Sequence, residues 1–197
     1  MHKYFNSDAE YQRIFVLYGL GGSGKSQLAF KFLQECQTNK RYSKFMIMMF
    51  NSLRFWISSF SDIFYIDATN EQTLGMDLKA IRPENAQSVD GILRWLADQD
   101  REWLLFFDNA DDVQLNLQKF FPPCASGNIL VTSRNRALRR YTAKGSEQNV
   151  TGMEDEDATN LLFRLSQAEE TDENKLLAAQ IVQVFFLFFL AQKSLPN

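Results

Sequence analysis

The sequence contains very few of the side chains that bind zinc or drive histidine-based catalysis. Its 197 residues include one histidine, His2, and two cysteines, Cys36 and Cys124. These three residues cannot form a four-ligand zinc site, and a Ser-His-Asp or Cys-His mechanism would depend on a terminus that we expect to fray. Two widely separated cysteines favour buried thiols in a reducing compartment. We therefore expect a cytoplasmic protein of another chemical class.

Charge of one sign and long apolar runs are also scarce. A formal net charge of −3 provides no general attraction for nucleic acid or anionic lipid. The most apolar stretches, 45–59 and 184–190, are shorter than the roughly 18 residues of a membrane-spanning helix, and the polar start from His2 to Arg13 does not resemble a signal peptide. With 45% hydrophobic residues and only 4 prolines, the composition is that of a folded domain. We expect no nucleic-acid partner and no membrane span.

Alternation of apolar runs and amphipathic stretches predicts an α/β fold. The runs predicted as strands are residues 13–18, 62–67, 103–107 and 128–133. Residues 25–35, 88–99 and 154–166 are predicted as helices from their periodicity. A fourth helix is predicted to begin at a capping box formed by Thr69 and Gln72 and to run to about Ile81. In the last helix, Ala158, Leu161, Leu162 and Leu165 are expected to face inward.

Residues 19–26 form the motif with the most specific chemistry. They read Gly-Leu-Gly-Gly-Ser-Gly-Lys-Ser and match the phosphate-loop pattern G-x-x-x-x-G-K-S/T between a predicted strand and helix. Glycines let successive N–H groups turn towards phosphate oxygens, Lys25 adds an ammonium, and Ser26 offers a hydroxyl to magnesium. The alternative is a glycine-rich turn with a chance Lys-Ser. The predicted binding residues are Gly19, Gly21, Gly22, Ser23, Gly24, Lys25, Ser26 and Gln27.

A metal site requires a carboxylate at the end of a neighbouring buried strand. Asp108 follows the apolar run 104–107 and is predicted to hold Mg²⁺ together with Ser26. The alternative is an aspartate that caps the next helix. Asn109 stands where many ATPases carry a second acid that activates water, so hydrolysis is less strongly indicated than binding.

A basic segment follows the fourth predicted strand. Arg134 lies at the carboxyl edge of the sheet, where ligands of such sheets bind, and could contact a terminal phosphate. Lys25, Asp108 and Arg134 are therefore our candidate catalytic residues. The further cations Arg136, Arg139, Arg140 and Lys144 allow three interpretations: a solvated helix face, phosphate sensing or polyanion contact. One aromatic residue, Tyr141, gives little support for stacking of single-stranded nucleic acid.

Blocks 19–29, 103–112 and 127–135 together resemble the NB-ARC branch of the STAND signalling ATPases, especially fungal NLR-like proteins. Segments 64–68 and 153–158 resemble that family as well. The resemblance implies a P-loop NTPase three-layer sandwich with a mostly parallel five-stranded sheet, in which the sensor strand lies between the two Walker strands. It also implies a signalling switch that binds ADP or ATP with Mg²⁺, held off by ADP and turned on by ATP, with Arg134 as phosphate sensor.

The resemblance also implies a domain organisation and marks two atypical segments. We expect a flank at 1–10, the P-loop domain at 11–166 with an apolar insertion at 45–59, and a truncated helical subdomain at 167–197. After residue 183 the family continues into a Gly-Leu-Pro-Leu-type turn, whereas this chain has the apolar run 185–190. We hypothesise that 45–59 and 185–197 are translated non-coding sequence. Protein partners would bind through N- and C-terminal domains of a full-length relative.

The sequence is also compatible with two other functions. The chain could be a P-loop kinase that phosphorylates a small molecule, with residues 134–140 as an arginine lid. It could also be a non-catalytic fragment whose apolar tail forms an interaction surface. As an enzyme, we expect at most a slow Mg²⁺-dependent ATPase.

Overall fold

The computed structural model describes residues 1–5, 11–38, 45–46, 63–81 and 88–194. These residues divide into two compact units, Met1–Val150 and Thr151–Asn197. The first unit therefore ends earlier than residue 166, where the sequence places the end of the P-loop domain.

A parallel sheet forms the centre of the first unit. Its strands are β1 (Arg13–Tyr18), β2 (Phe45–Met46), β3 (Ile63–Asp67), β4 (Leu104–Asp108), β5 (Asn128–Ser133) and β6 (Glu147–Asn149). Within the described part of the chain the order is β2-β3-β4-β5-β1-β6, and every pairing is parallel. The predicted position of the sensor strand β5 between β1 and β4 is confirmed. The resemblance implies five strands. The described residues form these five and one more, the two-residue β2 at one edge of the sheet.

Six α-helices lie before, between and after the strands in the described part of the chain. They are α1 (His2–Phe5), α2 (Lys25–Thr38), α3 (Glu71–Ala80), α4 (Val89–Ala97), α5 (Asp155–Ser166) and α6 (Asp172–Ser194). Two 3₁₀ helices span Leu117–Phe120 and Arg136–Tyr141. None of the described helices is long and apolar enough to cross a membrane.

Side chains of β4 alternate between two apolar layers, one on each side of the sheet. Leu104 and Phe106 belong to a cluster that includes α2, whereas Leu105 and Phe107 belong to a cluster that includes α3 and α4. All five residues of β4 are buried, as expected for a central strand of a parallel sheet. This alternation produces the predicted three-layer arrangement and fixes the carboxyl edge of the sheet.

Helix α3 begins one residue later than the capping-box prediction. Asn70, rather than Thr69, is the N-cap, and its side chain accepts a 2.9 Å hydrogen bond from the Thr73 N–H. The reason is local: the Thr69 N–H and hydroxyl both donate to Asp67 Oδ1. Thr69 is therefore bonded to Asp67, the last residue of β3, and its neighbour Asn70 caps the helix.

The N-terminal residues are part of the core rather than a separate flank. Phe5 is fully buried and its ring lies 5.5 Å from that of Phe32. His2 Nε2 lies 2.7 Å from Glu35 Oε2, so the expected fraying of this end does not occur. Aromatic burial against α2 anchors the short helix α1.

The second unit consists of α5 and α6. Phe163 and Ala178 are its fully buried apolar residues among those described. Of the residues predicted to face inward in α5, Ala158 and Leu162 are half-buried, whereas Leu161 and Leu165 are exposed. Within this unit α5 and α6 pack against each other. Helix α6 continues through 185–190. Of the predicted insertion, residues 45–46 form β2, and 47–59 lie outside the described residues.

Candidate nucleotide-binding site

The phosphate loop, residues 19–26, connects β1 to α2 and has the backbone that its glycines predict. Gly22 and Gly24 have φ angles of 75° and 88°, in the left-handed region where a Cβ is strained. At Gly19 (φ 152°) a Cβ would lie 2.3 Å from the carbonyl oxygen of Val150. Glycine is therefore required at Gly19 by the close approach of another segment as well as by its own backbone.

Ser23 contains an unsatisfied polar atom inside this loop. Its Oγ is buried and has no hydrogen-bond partner in the described part of the structure. Leaving a buried hydroxyl unpaired costs about 1–3 kcal/mol. An anion bound by the loop is the kind of acceptor that would satisfy it.

Lys25 lies at the start of α2 with its ammonium directed back to the loop. Nζ donates to the carbonyl oxygens of Gly19 at 3.1 Å and Leu20 at 2.7 Å. Burial lowers the pKa of Lys25, Asp111 and Asp108 act in the opposite direction, and Arg134 adds to the lowering. A buried ammonium held by neutral carbonyls is stabilised by a nearby anion, which restores the pKa.

Ser26 and Asp108 meet at the carboxyl edge of the sheet. The Ser26 hydroxyl donates to Asp108 Oδ1 at 2.7 Å, the Thr132 hydroxyl donates to the same oxygen, and Tyr65 OH lies 3.4 Å from Oδ2. The Asp108 carboxylate therefore contacts three hydroxyls rather than capping a helix. No group of three or more His, Cys, Asp or Glu side chains that could hold a metal occurs in the described ranges. One carboxylate and one hydroxyl are a partial ligand set for Mg²⁺, which retains several waters.

Tyr65 was missed by the sequence reading. It lies on β3 beside Phe106 of β4 and stacks on Phe30 of α2, with ring centroids 5.8 Å apart. Burial, followed by the charge of Asp108, raises the pKa of Tyr65, so the side chain is a neutral donor. The sequence feature that could have indicated Tyr65 is its position two residues before the end of β3, the strand that pairs with β4.

Asn109 occupies a strained position immediately after Asp108. Its φ is 59°, its side chain is exposed, and its N–H donates to the Thr132 hydroxyl at 3.1 Å. An amide does not accept a proton as a general base. Residue 109 therefore provides no general base beside Asp108.

Arg134 lies beside the phosphate loop and is bound by Asp111. Its backbone N–H and Nε both donate to Asp111, to Oδ1 and Oδ2 respectively, at 2.6 Å. Its Cδ lies 3.6 Å from the point where Gly21 would carry a Cβ. The predicted sensor thus sits next to the loop, whereas Gln27 is exposed in the first turn of α2.

Three further arginines of the basic segment, Arg136, Arg139 and Arg140, contact the protein's own aromatic and acidic groups. The guanidinium groups of Arg136 and Arg139 lie 5.5 and 5.2 Å from the ring centroid of Tyr18. Arg139 also bonds to Glu147 at 3.0 Å, and Arg140 lies over the Tyr141 ring. Of the three interpretations, these contacts favour a structural and solvated helix face.

Comparisons with known proteins agree with this arrangement. The model of the family described as NB-ARC domain matches residues 2–172. Cdc6p from Pyrobaculum aerophilum has a similar crystal structure, with a TM-score of 0.54 and 13% identity over 90% of this chain and 50% of that one. A STAND protein with a tetratricopeptide repeat sensor from Pyrococcus horikoshii gives a TM-score of 0.47 and 16% identity over 89% and 26%. At 13% identity, the similarity to Cdc6p shows the fold alone. The TM-score of 0.47 for the STAND protein is too low to add to that conclusion.

The chain spans about half of the Cdc6p chain and about a quarter of the STAND chain. No curated protein sequence matches it.

Proposed function

Because the chain belongs to the NB-ARC domain family of nucleotide-binding signalling switches, we propose that its phosphate loop binds ADP and ATP together with Mg²⁺. One observation carries the proposal. Ser26, Asp108 and Arg134, which come from three distant blocks of sequence, lie at one edge of the sheet. An α/β sheet binds its ligands at this edge.

The loop residues fit a polyphosphate. Positive φ angles at Gly22 and Gly24 leave room for oxygens close to the backbone, and the buried Ser23 hydroxyl lacks an acceptor among the described residues. Lys25 would exchange the carbonyls of its own loop for phosphate oxygens, and the N-terminus of α2 would add its positive dipole. Adenine as the base is proposed from the family.

Ser26 and Asp108 would hold the metal. Their hydrogen bond shows that the hydroxyl and the carboxylate point to the same place. When bound, Mg²⁺ neutralises phosphate charge. Tyr65 and Thr132 orient the Asp108 carboxylate for this role.

Hydrolysis is proposed to be slow at most. Asn109 supplies no base, so activation of water lacks the acid that many ATPases place at this position. Lys25 and Arg134 would stabilise phosphate charge without removing a proton. Such a site favours a domain that reports which nucleotide is bound.

We further propose that the domain acts in the cytoplasm and that partners bind through additional domains of the full-length protein. Cys36 and Cys124 are not joined by a disulfide, which supports a reducing compartment. Additional domains are proposed from membership of the NB-ARC family.

The test is to purify the chain, extract its bound nucleotide and identify it by chromatography and mass spectrometry. ADP or ATP in the wild-type chain, and neither in Lys25→Ala, is the expected result. Incubation with ATP and a metabolite mixture then separates a switch from a kinase. A phosphorylated small molecule would support the kinase, whereas slow release of phosphate alone supports the switch.

A further inference from the structure

Asp111 holds Arg134 through a two-point contact beside the phosphate loop. One carboxylate oxygen accepts the backbone N–H of Arg134 and the other accepts its Nε–H, both at 2.6 Å. The Asp111 side chain is 26% exposed, whereas that of Arg134 is 64% exposed. The carboxylate is thus well fixed, and the guanidinium has room to leave it.

This pair is electrostatically connected to the binding site. Asp111 is the nearby charge that most strongly favours the protonated form of Lys25, and Arg134 opposes it. The Arg134 side chain also passes close to Gly21 of the loop. A change in the partner of Arg134 therefore alters the charge around the phosphates directly.

We propose that Asp111 sets the preference of the site between ADP and ATP by competing with the third phosphate for the Arg134 guanidinium. The inference rests on the proposed nucleotide binding. A carboxylate and a terminal phosphate are both strong acceptors for a guanidinium, so the Asp111 contact at Nε and a phosphate contact compete for the orientation of the Arg134 side chain. With ADP bound, the pair with Asp111 persists, whereas ATP must break it to gain the sensor contact.

Energetics make the competition effective. A partly exposed ion pair such as this one contributes little net stability, because water and side-chain entropy offset its attraction. Such a pair can be displaced by a more highly charged acceptor.

The sequence provides a matched control at the next position. Asp112 is exposed, and its Oδ1 accepts the N–H of Gln114 at 2.8 Å. Asp111→Asn and Asp112→Asn remove the same charge from neighbouring positions, but the first alone removes the acceptor of Arg134 Nε. Asparagine at 111 keeps an oxygen for the backbone N–H, so the loop geometry is retained.

The experiment measures Kd for Mg-ADP and Mg-ATP by isothermal titration calorimetry on the full chain. Asp111→Asn is expected to raise the ratio of ATP to ADP affinity about fivefold to tenfold, whereas Asp112→Asn leaves it within about twofold. In an Arg134→Ala background, Asp111→Asn should have no effect on the ratio. Unchanged melting temperatures confirm that the variants are folded.

The outcomes separate this inference from the function on which it rests. Equal ratios for the two asparagine variants, or an Asp111→Asn effect that persists without Arg134, would overturn the role of Asp111 while nucleotide binding stands. A folded wild-type chain that binds neither nucleotide would overturn the proposed function itself.

Discussion

The Ser26 hydroxyl donates a 2.7 Å hydrogen bond to Asp108, although 82 residues separate them along the chain. Ser26 lies in the first turn of helix α2, and Asp108 is the last residue of strand β4. The contact joins the phosphate loop to the central strand at the point where a metal would lie. Its removal should therefore affect metal-dependent binding more than binding of the nucleotide alone.

Ser26→Ala tests this role of the hydroxyl. We expect the affinity for ADP in the presence of Mg²⁺ to fall about tenfold, equivalent to ~1.4 kcal/mol. In excess EDTA the affinity should stay within about twofold of wild type, because the loop amides and Lys25 are unchanged. Fluorescence titration with a labelled nucleotide measures both. Equal losses with and without Mg²⁺ would contradict a metal-ligating role.

Tyr65→Phe removes the hydroxyl that approaches Asp108 Oδ2 and retains the ring between α2 and β4. Loss of one hydrogen bond worth about 0.5–1.5 kcal/mol should raise the Mg²⁺ concentration at half-saturation about threefold at fixed nucleotide. Tyr11→Phe is the matched control, because Tyr11 is exposed. A Tyr65→Phe titration that matches this control would show that Tyr65 has no part in positioning the carboxylate.

Gly19→Ala tests the packing of the loop independently of any ligand. The added Cβ meets the Val150 carbonyl oxygen at 2.3 Å, so the free energy of unfolding should fall by on the order of 3 kcal/mol. Gly145→Ala is the control, because Gly145 also has a positive φ but no atom near its Cβ position. It should cost roughly 1 kcal/mol. Urea unfolding measures both, and similar losses would be incompatible with the close approach at Gly19.

Asp77→Asn tests a buried carboxylate that supports the end of β3. Asp77 is 3% exposed and accepts the Asp67 N–H at 2.8 Å. Burial raises the pKa of Asp77 above its usual 3.8, against the opposing effect of that hydrogen bond. The unfolded chain thus loses this proton at lower pH than the folded chain does. Stability contributed by the protonated group is full below pH 3.8 and is lost as pH rises through the folded pKa.

Asparagine at position 77 keeps the acceptor without the charge. We therefore expect the variant to be more stable than wild type at pH 7, with the difference disappearing as the pH falls below 3.8. Asp100→Asn, at an exposed site, provides the control for the change in net charge. Urea unfolding across this pH range measures the effect, and lower stability of Asp77→Asn at pH 7 would show that the charged form is favoured.

Features governed by local sequence were predictable. The bounds of β1 and β5 agree with their apolar runs, because both strands are buried and end at polar or glycine residues. The phosphate loop follows from its glycine spacing. The strand β6 was missed, since its three residues, Glu147–Asn149, are polar and pair only because β1 lies beside them.

Features that depend on tertiary neighbours were not predictable. Asp111 stands in an acidic run whose partner, Arg134, lies 23 residues away, and periodicity says nothing about such a pair. The exposed Leu165 of α5 follows the helical pattern, but burial requires a neighbour on that side. Phe5 was assigned to a flank because residues 1–10 show no strand or helix periodicity, and its burial depends on Phe32 of α2.

Calorimetric titration of the full chain with Mg-ADP tests the central claim most directly. We predict one saturable site in the wild-type chain, loss of at least about a hundredfold in affinity in Lys25→Ala, and retained binding in Lys31→Ala, which removes the same charge from an exposed position of α2. A folded wild-type chain that binds no ADP, or a Lys25→Ala variant that binds it as tightly as wild type, would contradict the account.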